Sequence, residues 1–250
     1  MKSEARLDKK GKFLETTKLD IEKYSSKAPQ YYSENVPDLL KKIIETQNLK
    51  TLLDCGCGDG NLLYALKKIG YFENRKIFAV DLSENRVGLV GRIDPTIDVS
   101  VDSVEELNTV SDHTIELLIS TQVIEHVDDK KAIEAMSRVL KKDGRIYLST
   151  VFKKWYAWYF YRNKGRWVLD PTHLREYSRE AQLLDLILAS GFRVLENQKS
   201  LFWFPVIDFF VKRIEIKNRS LYENRILSLL RRIKVPIPGY YNWELVLVKP

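Results

Sequence analysis

The sequence has few cysteines, few histidines and no long apolar run. Its two cysteines, Cys55 and Cys57, are two positions apart in a chain of 250 residues, which argues against a disulfide framework and a small secreted scaffold. No apolar stretch approaches the roughly eighteen residues that a membrane-spanning helix needs. The first residues alternate charged and single apolar side chains and lack the apolar centre of a signal peptide. These absences favour a soluble, cytoplasmic protein.

Internal repeats and low-complexity linkers are also absent, so we expect one domain over residues 1–250. Hydrophobic residues at 44% and charged residues at 30% are typical of a globular chain and exclude wholesale disorder. The net charge of +7 is concentrated, because the segment from Lys212 to Lys234 has eight basic and two acidic residues, while the rest has 33 positive against 32 negative charges. All five tryptophans and 19 of the 28 aromatic residues follow position 150. This asymmetry predicts a general scaffold followed by a partner-specific surface.

Short apolar segments alternate with stretches of helical periodicity. Strands are predicted at 51–54, 77–81, 97–101, 115–121, 146–151, 192–195 and 244–248, and helices lie between most of them. Because most strands are apolar throughout, we expect an α/β fold with a doubly wound parallel sheet that has helices on both faces. Ligands of such sheets bind beyond the carboxyl ends of the strands, so the loops there are the place to look for chemistry.

A glycine-rich loop joins the first strand to the first helix of this pattern. Gly56, Gly58 and Gly60 occupy alternate positions, which allows a sharp turn and a close approach of a ligand to the main chain. No Lys-Ser/Thr pair follows the last glycine, and Asp54 and Asp59 bring negative charge into the loop. The loop therefore suits a ligand with a cationic group and hydroxyls better than a pyrophosphate.

Two further carboxylates end the next two strands. Asp81 lies 21 residues after Gly60, the spacing at which a carboxylate meets ribose hydroxyls in nucleoside-binding βαβ units. Asp102 ends the third strand and is followed by Ser103, which is placed to meet an adenine edge. An exposed acidic loop residue would explain each one alone, but three in register point to a nucleoside site.

Together these residues resemble the class I S-adenosylmethionine-dependent methyltransferases. The resemblance rests on Asp54-x-Gly-x-Gly-x-Gly60, on Asp81, on Val101-Asp102-Ser103 and on the run from Ile119 to Val127, and it covers residues 45–151 well and extends loosely to 195. It implies a Rossmann-like seven-stranded sheet whose last strand, about Trp243 to Lys249, is antiparallel, and S-adenosyl-L-methionine as the cofactor.

The same resemblance implies a role for each residue of the loops. Asp54 and Gly56 would face the methionine moiety, Asp81 the ribose and Asp102 with Ser103 the adenine, while Gln122 would lie near the sulfonium. The full set of expected cofactor-binding residues is Asp54, Gly56, Gly58, Gly60, Asp81, Leu82, Asp102, Ser103 and Gln122.

Two of the three histidines are candidate catalytic residues, and the third, His113, lies in a polar turn. His126 follows Glu125 in a pair that resembles ubiquinone-type O-methyltransferases, several of which hold a divalent metal with a further upstream glutamate. Here that position is Gln122, so no metal site is expected. His173 lies in a Pro-x-His-x-Arg element found in related small-molecule methyltransferases. His126 is either catalytic or forms a structural hydrogen bond that fixes its loop, and His173 is a candidate general base or acceptor ligand.

The remaining segments are expected to surround the cofactor-binding core. Residues 1–33 are predicted to form one or two short helices or a lid, and 152–177 and 199–240 to be acceptor- or partner-facing insertions. The stretch from Phe152 to Trp167 has eight aromatic and five basic residues and no acidic one. It suits an acceptor pocket or membrane contact, plain aromatic packing, or nucleic acid. A basic amphipathic helix near 222–233 makes 201–234 a candidate contact with an anionic membrane, although its apolar stripe would also pack on the domain.

The sequence therefore predicts a methyltransferase that methylates an oxygen of a small, lipid-linked or glycan-linked acceptor. The first alternative is an RNA methyltransferase. It is weakened because the fourth strand ends in Thr121-Gln122-Val123 rather than an Asn/Asp-Pro-Pro-aromatic element, and because no RNA-binding module is recognisable. The second alternative is a cofactor-binding protein without catalysis that serves as a membrane or complex partner.

Overall fold

The computed structural model describes residues 5–7, 13–15, 35–163, 165–207, 225–230 and 233–250. The strands are β1 Ala5–Leu7, β2 Phe13–Glu15, β3 Thr51–Cys55, β4 Lys76–Asp81, β5 Asp98–Val101, β6 Ile115–Thr121, β7 Leu140–Lys153, β8 Tyr161–Asn163, β9 Arg166–Val168, β10 Arg193–Pro205 and β11 Lys234–Val248. The helices are α1 Asp38–Thr46, α2 Asn61–Lys68, α3 Glu84–Val90, α4 Asp129–Val139, α5 Ala181–Ala189 and α6 Arg225–Leu230, with a 3₁₀ turn at Ile124–His126.

Seven strands form the central sheet in the order β10-β11-β7-β6-β3-β4-β5. Strands β5, β4, β3, β6 and β7 are parallel, β11 runs antiparallel to β7, and β10 runs antiparallel to β11. This confirms the predicted α/β fold with a seven-stranded sheet and an antiparallel last strand. The strand order reverses between β3 and β6, so the loops after these strands meet at one edge.

Each central strand is buried on both faces because successive side chains enter two different apolar clusters. Leu53 and Leu118 pack in a cluster with α4 and α5, and their neighbours Leu52 and Leu117 pack in a cluster with α1 and α2. All four side chains are at most 1% exposed. This explains the uninterrupted apolar strand sequences, and truncating one such leucine to alanine costs about 2–5 kcal/mol.

The helix starts follow from local sequence signals. The Ser83 side chain accepts a hydrogen bond from the Arg86 amide at the start of α3, and Asp128 accepts one from the Lys131 amide at the start of α4. Helix α1 begins directly after Pro37, where the missing amide hydrogen costs nothing. These starts place the loops that precede α2, α3 and α4 at the carboxyl edge of the sheet.

The last two strands are longer than the sequence pattern predicts. Beyond the part of β11 that pairs with β7, residues 202–205 of β10 and 234–239 of β11 continue as a two-stranded ribbon, with a register shift between Leu201 and Trp203. Pro205, Pro236 and Pro238 hide this extension from a strand pattern. The expected insertion at 199–240 is therefore partly strand, and α6 is the described part of the predicted amphipathic helix.

The expectation of helices or a lid over 1–33 lies mostly outside the described residues. Within it, β1 and β2 pair antiparallel, so these two short segments are strands rather than helices. Throughout the parts of the chain that the structure describes, no helix is long and apolar enough to cross a bilayer.

Candidate active site

The glycine loop turns sharply between β3 and α2. Gly56, Gly58 and Gly60 all have φ between +54° and +79°, a region that favours glycine. A Cβ on Gly56 would lie 2.6 Å from Cγ2 of Val123, whereas a Cβ on Gly58 would meet nothing within 4 Å. The loop is thus packed against the turn after β6 at Gly56 and is open at Gly58, where a ligand can approach the main chain.

Asp54 is a buried carboxyl group at the end of β3 and is 2% exposed. Burial, and secondarily the nearby Asp81, raises its pKa from 3.8 to about 7. Its Oδ1 accepts no hydrogen bond, and neither does the buried Oδ1 of Asn61 in the same loop. Buried acceptors without donors are costly, so this loop fits a ligand that brings a cationic group.

Asp81 is fixed at the end of β4 by main-chain donors. Its Oδ2 accepts a hydrogen bond from the Gly58 amide at 3.0 Å, and its Oδ1 accepts one from the Ser83 amide at 2.9 Å. Arg86 extends between Asp81 and Asp59, with N···O distances of 3.9 and 3.5 Å. The carboxylate is therefore held beside the open part of the glycine loop, as expected for a group that binds ribose hydroxyls.

Asp102 continues the same edge, since its amide donates to the Asp81 carbonyl at 3.1 Å. Its carboxylate accepts hydrogen bonds from the amides of Ser103 and Thr109, both at 2.7 Å, and therefore shapes the loop after β5. Ser103 caps the following turn through Oγ. Leu82 is 40% exposed next to Asp81 and offers an apolar face to a ligand.

Gln122 ends the fourth strand of the pattern in a left-handed conformation, with φ of +55°. Its amide nitrogen Nε2 donates to Asn242 Oδ1 on β11 at 3.0 Å, and its main-chain amide donates to the Ser149 carbonyl. Gln122 is thus tied to the neighbouring strands at the edge that also carries the glycine loop. Its predicted place near a sulfonium stays a prediction.

His126 and His173 are brought together although they are 47 positions apart. Their ring centroids are 4.6 Å apart in an edge-to-face arrangement. The segment of His173 lies over the 3₁₀ turn, since the Leu174 amide donates to the Glu125 carbonyl at 2.9 Å. Val123, which packs on Gly56, begins the same turn, so the histidine pair adjoins the glycine loop.

Hydrogen bonds determine which nitrogen of His173 carries a proton. Its Nδ1 lies 2.9 Å from Oε1 of Glu176, a carboxyl group that is 2% exposed. Burial opposes ionisation of Glu176, but hydrogen bonds from His173, Lys153 and the Leu169 amide outweigh it and lower its pKa. An ionised carboxylate only accepts, so Nδ1 is the protonated nitrogen and Nε2 of the neutral ring carries the lone pair.

The same reasoning applies to His126 through Thr172. The Thr172 hydroxyl donates to Asp170 Oδ1 at 2.7 Å, so its oxygen accepts from His126 Nδ1 at 3.1 Å. Burial would raise the pKa of Asp170, but the hydroxyl and amide of Thr172 lower it, with smaller contributions from both histidines. Both imidazoles are therefore held with the lone pair on Nε2, the form that a general base requires.

Glu125 lies beside this pair and is fully buried. Burial raises its pKa from 4.5 to about 7, although its own amide, the Thr150 hydroxyl and His173 oppose the shift. Its Oε2 accepts from Thr150 at 2.9 Å, and its Oε1 accepts no hydrogen bond. Glu125, His126 and His173 offer ligand atoms within 4.8 Å of one another, so they are the group among the described residues that could hold a metal ion.

Sequence reasoning missed the residues that orient the two histidines. Glu176 follows His173 by three positions, and Asp170 and Thr172 directly precede it, yet none was assigned a role. The signal was the concentration of polar side chains in one short run, but the sequence gives no reason to pair His126 with Thr172.

The two cysteines are both buried thiols whose pKa burial raises well above 9.0, consistent with small core residues.

The sheet order, the glycine loop and the three acidic strand ends define a class I Rossmann-like methyltransferase. A family model described as "Methyltransferase domain" matches residues 24–197, so the chain belongs to this family. The domain is of the S-adenosylmethionine-dependent methyltransferase class, and the Asp54 oxygen without a hydrogen-bond donor and the open Gly58 fit that cofactor.

Relatives with different acceptors share this domain. The chain is 24% identical over 220 residues to tRNA N(3)-methylcytidine methyltransferase trm140 of Schizosaccharomyces pombe, covering 82% of this chain and 64% of that protein. It is 24% identical over 160 residues to the ubiquinone biosynthesis O-methyltransferase of Bartonella quintana, covering 60% and 63%. The chain thus spans slightly less than two thirds of both relatives. The YcgJ protein of Bacillus subtilis shares the fold, with a TM-score of 0.55 at 18% identity over 84% of this chain and 95% of that one.

Proposed function

We propose that this methyltransferase transfers the methyl group to an oxygen atom of a small, lipid-linked or glycan-linked acceptor. The observation that carries the proposal is the pairing of His126 with His173, whose ring centroids are 4.6 Å apart, together with the Glu176 carboxylate on Nδ1 of His173, which leaves the lone pair of that ring on Nε2. A hydroxyl acceptor must lose a proton as its oxygen is methylated, and a positioned neutral imidazole removes such a proton.

The cofactor supplies an electrophilic methyl group on a positively charged sulfur. In the proposed mechanism Asp54 and the glycine loop bind its cationic end, Asp81 its ribose hydroxyls, and Asp102 with Ser103 its adenine. Methyl transfer then requires that the acceptor oxygen lies in line with the methyl group and that water is excluded. The residues that surround the acceptor must provide both.

His173 is the better candidate for the base. Its Glu176 partner accepts the Nδ1 proton, so a positive charge that forms on the ring faces a buried carboxylate. That carboxylate also accepts from Lys153 Nζ at 2.9 Å and Tyr240 Oη at 3.3 Å, which hold it in place. His126 serves as the second base or as a hydrogen-bonding group for the acceptor.

A second candidate function is methylation of RNA. It is favoured by the match to a tRNA methyltransferase over 82% of this chain. The two proposals differ in the material that is labelled and in whether a hydroxyl is methylated.

The test supplies methyl-labelled cofactor and the full-length protein to an extract of cells that lack it, followed by separation of lipids, small molecules and RNA. We expect label in the lipid or small-molecule fraction, resistant to ribonuclease, with the methyl group on oxygen by mass spectrometry. Asp81→Ala, which removes the ribose carboxylate, is the negative control. Label that ribonuclease releases would replace this proposal with the second one.

A further inference from the structure

We propose that an exposed aromatic surface beside the active site binds anionic lipid bilayers. Its members are apolar or aromatic side chains on three neighbouring segments of the chain. We call this set the aromatic surface: Trp155, Tyr156, Trp158, Phe160, Tyr161, Leu201, Trp203, Val206, Ile233 and Val235. Trp155 is 95% exposed, and the other members are 36–60% exposed. An exposed patch with this many large apolar side chains marks an interaction site.

The segments of the aromatic surface are joined by main-chain contacts. The Trp158 amide donates to the Pro238 carbonyl at 3.1 Å, and the Lys154 amide donates to the Gly239 carbonyl at 2.8 Å. Trp203 is opposite Pro236 in the ribbon. Gly239 permits the close approach, since a Cβ there would lie 2.6 Å from Cα of Ala157. The exposed side chains therefore lie on segments that are in direct contact with one another.

The ribbon holds these side chains outward because strand residues alternate between two faces. Phe202 and Phe204 are partly buried against a small cluster that includes Ile237 and Tyr240, whereas Leu201 and Trp203, which alternate with them, are 45% and 49% exposed. The inward side chains of the ribbon thus pack in an apolar cluster of their own, and the outward side chains lie outside that cluster. The outward face needs a partner to leave water.

The charge around this face indicates an anionic partner. The stretch 152–167 has five basic residues and no acidic one, and Lys154, Arg162, Arg166 and Lys234 are exposed. The Arg162 guanidinium lies 4.0 Å from the Trp167 ring centroid. Among the described residues, the acidic side chains that follow this stretch, Asp170 and Glu176, are bonded to Thr172 and His173. Tryptophan and tyrosine mixed with arginine and lysine suit the interface of a bilayer that contains anionic lipid.

Helix α6 extends the apolar character of this edge. Ile226 and Leu229 are 70% and 62% exposed. The helix is attached to the tip of the ribbon, since the Ile233 amide donates to the Leu230 carbonyl and the Val206 amide to the Ile233 carbonyl, both at 3.1 Å. The chain that connects β10 to β11 also carries eight basic against two acidic residues from Lys212 to Lys234.

The aromatic surface adjoins the histidine pair through Glu176. Lys153 Nζ and Tyr240 Oη both donate to the Trp167 carbonyl, at 3.2 Å, and to the Glu176 carboxylate. A bilayer on this surface would therefore lie next to the site where the acceptor binds. Binding of the aromatic surface to a bilayer does not depend on the proposed function, that is, on whether the methylated atom of the acceptor is oxygen.

The test is sedimentation of the full-length protein with vesicles of phosphatidylcholine, with and without phosphatidylglycerol. We expect binding to the anionic vesicles, with a blue shift of tryptophan fluorescence, since three of the five tryptophans belong to the aromatic surface. Each of Trp155→Ser and Trp203→Ser should lower partitioning by about tenfold. The double variant Arg162→Glu with Arg166→Glu should also lower partitioning, and the loss should be larger at low salt than at high salt.

Matched controls lie at the opposite edge of the sheet. Ile69→Ser, with Ile69 49% exposed after α2, and Lys76→Glu at the start of β4 should leave vesicle binding within twofold of the wild type. Affinity for S-adenosylhomocysteine, unchanged within twofold, reports that each variant is folded.

Three outcomes would overturn the proposal. One is absence of wild-type binding to anionic vesicles. Another is equal binding of the wild type and the tryptophan variants, because charge alone would then explain it. The third is that the protein does not bind vesicles but forms a concentration-dependent dimer, or is retained on a filter with RNA, and that Trp155→Ser or the double charge reversal at Arg162 and Arg166 abolishes this. The occupant of the aromatic surface would then be a second copy of the chain or a nucleic acid.

Discussion

The imidazole of His173 and the carboxylate of Glu176 are joined by a hydrogen bond of 2.9 Å between Nδ1 and Oε1, and both side chains are at most 5% exposed. The bond fixes the tautomer of the histidine and places a buried negative charge behind it. A similar arrangement on His126 uses the neutral hydroxyl of Thr172 as an intermediary to Asp170. The two histidines therefore differ in how strongly a charge on the ring is stabilised, which favours His173 as the base.

Glu176→Gln should lower kcat by about a hundredfold while leaving cofactor affinity unchanged. The glutamine amide can donate to Nδ1 and thereby favour the tautomer with its proton on Nε2, which cannot remove a proton from the acceptor. The measurement is turnover of labelled cofactor with the acceptor fraction identified above. Glu180→Gln, at an exposed carboxylate paired with Lys199, is the matched control. Full activity of Glu176→Gln would exclude His173 as the base.

Cofactor affinity should rise with pH up to about pH 7 and then level off. Asp54 has a pKa of about 7, so it is largely protonated below that pH and must lose its proton to hold a cationic ligand. Calorimetric titration with S-adenosylmethionine between pH 5.5 and 8.5 is expected to show up to about a tenfold gain per pH unit on the acidic side. In Asp54→Asn the affinity should be lower and this dependence absent. A flat wild-type profile would contradict the assignment.

The stability of the ligand-free protein should change with pH in the opposite direction. The folded-state pKa of Asp54 is raised from 3.8 to about 7, so the protonated carboxyl is favoured by folding, and its contribution is lost as pH rises through that window. Relative to Asp54→Asn, which mimics the protonated form, the wild type should lose about 4 kcal/mol of unfolding free energy between pH 4 and pH 8. Urea unfolding of both proteins measures this difference, and a constant difference across the range would refute it.

Gly56→Ala should destabilise the fold by about 2–4 kcal/mol. The new Cβ would lie 2.6 Å from Val123 Cγ2, and φ of +79° strains any side chain. Val123→Ala removes the clashing methyl groups, so the double variant should be less destabilised by the glycine change than the single variant. Denaturant unfolding of the four proteins in this cycle gives the coupling energy. Gly58→Ala, with nothing within 4 Å, is the control for the strain alone.

Chelation should leave turnover unchanged. Gln122 precedes Glu125 with a neutral amide that donates to Asn242 rather than with a further carboxylate, and in the proposed function the two histidines act on the acceptor. The measurement is methyl transfer after exhaustive treatment with EDTA, compared with an untreated sample. Loss of activity that added divalent ions restore would instead make Glu125, His126 and His173 a metal centre.

Much of the fold follows from the sequence because local patterns carry it. Apolar strands such as Ile115–Thr121 are predicted with the bounds that the structure has, because the consecutive buried side chains Leu117, Leu118 and Ile119 are typical of a strand packed on both faces. The glycine loop was equally readable, because alternate glycines after a strand are tied to backbone conformation. The ribbon formed by β10 and β11 was not, since its prolines and half-exposed aromatics follow no strand pattern.

The sequence by itself determined the class of protein. Asp54 and Asp81 lie at the ends of their strands and Asp102 directly follows one, and parallel strands bring their carboxyl ends to one edge. Only the tertiary structure decided which groups meet around the reacting centre. His126 and His173 are far apart in the chain, and their pairing, their tautomers and the burial of Glu176 depend on how the segment after β9 packs over the turn after β6. The same packing leaves the aromatic surface exposed, because exposure is a property of neighbours that no local pattern records.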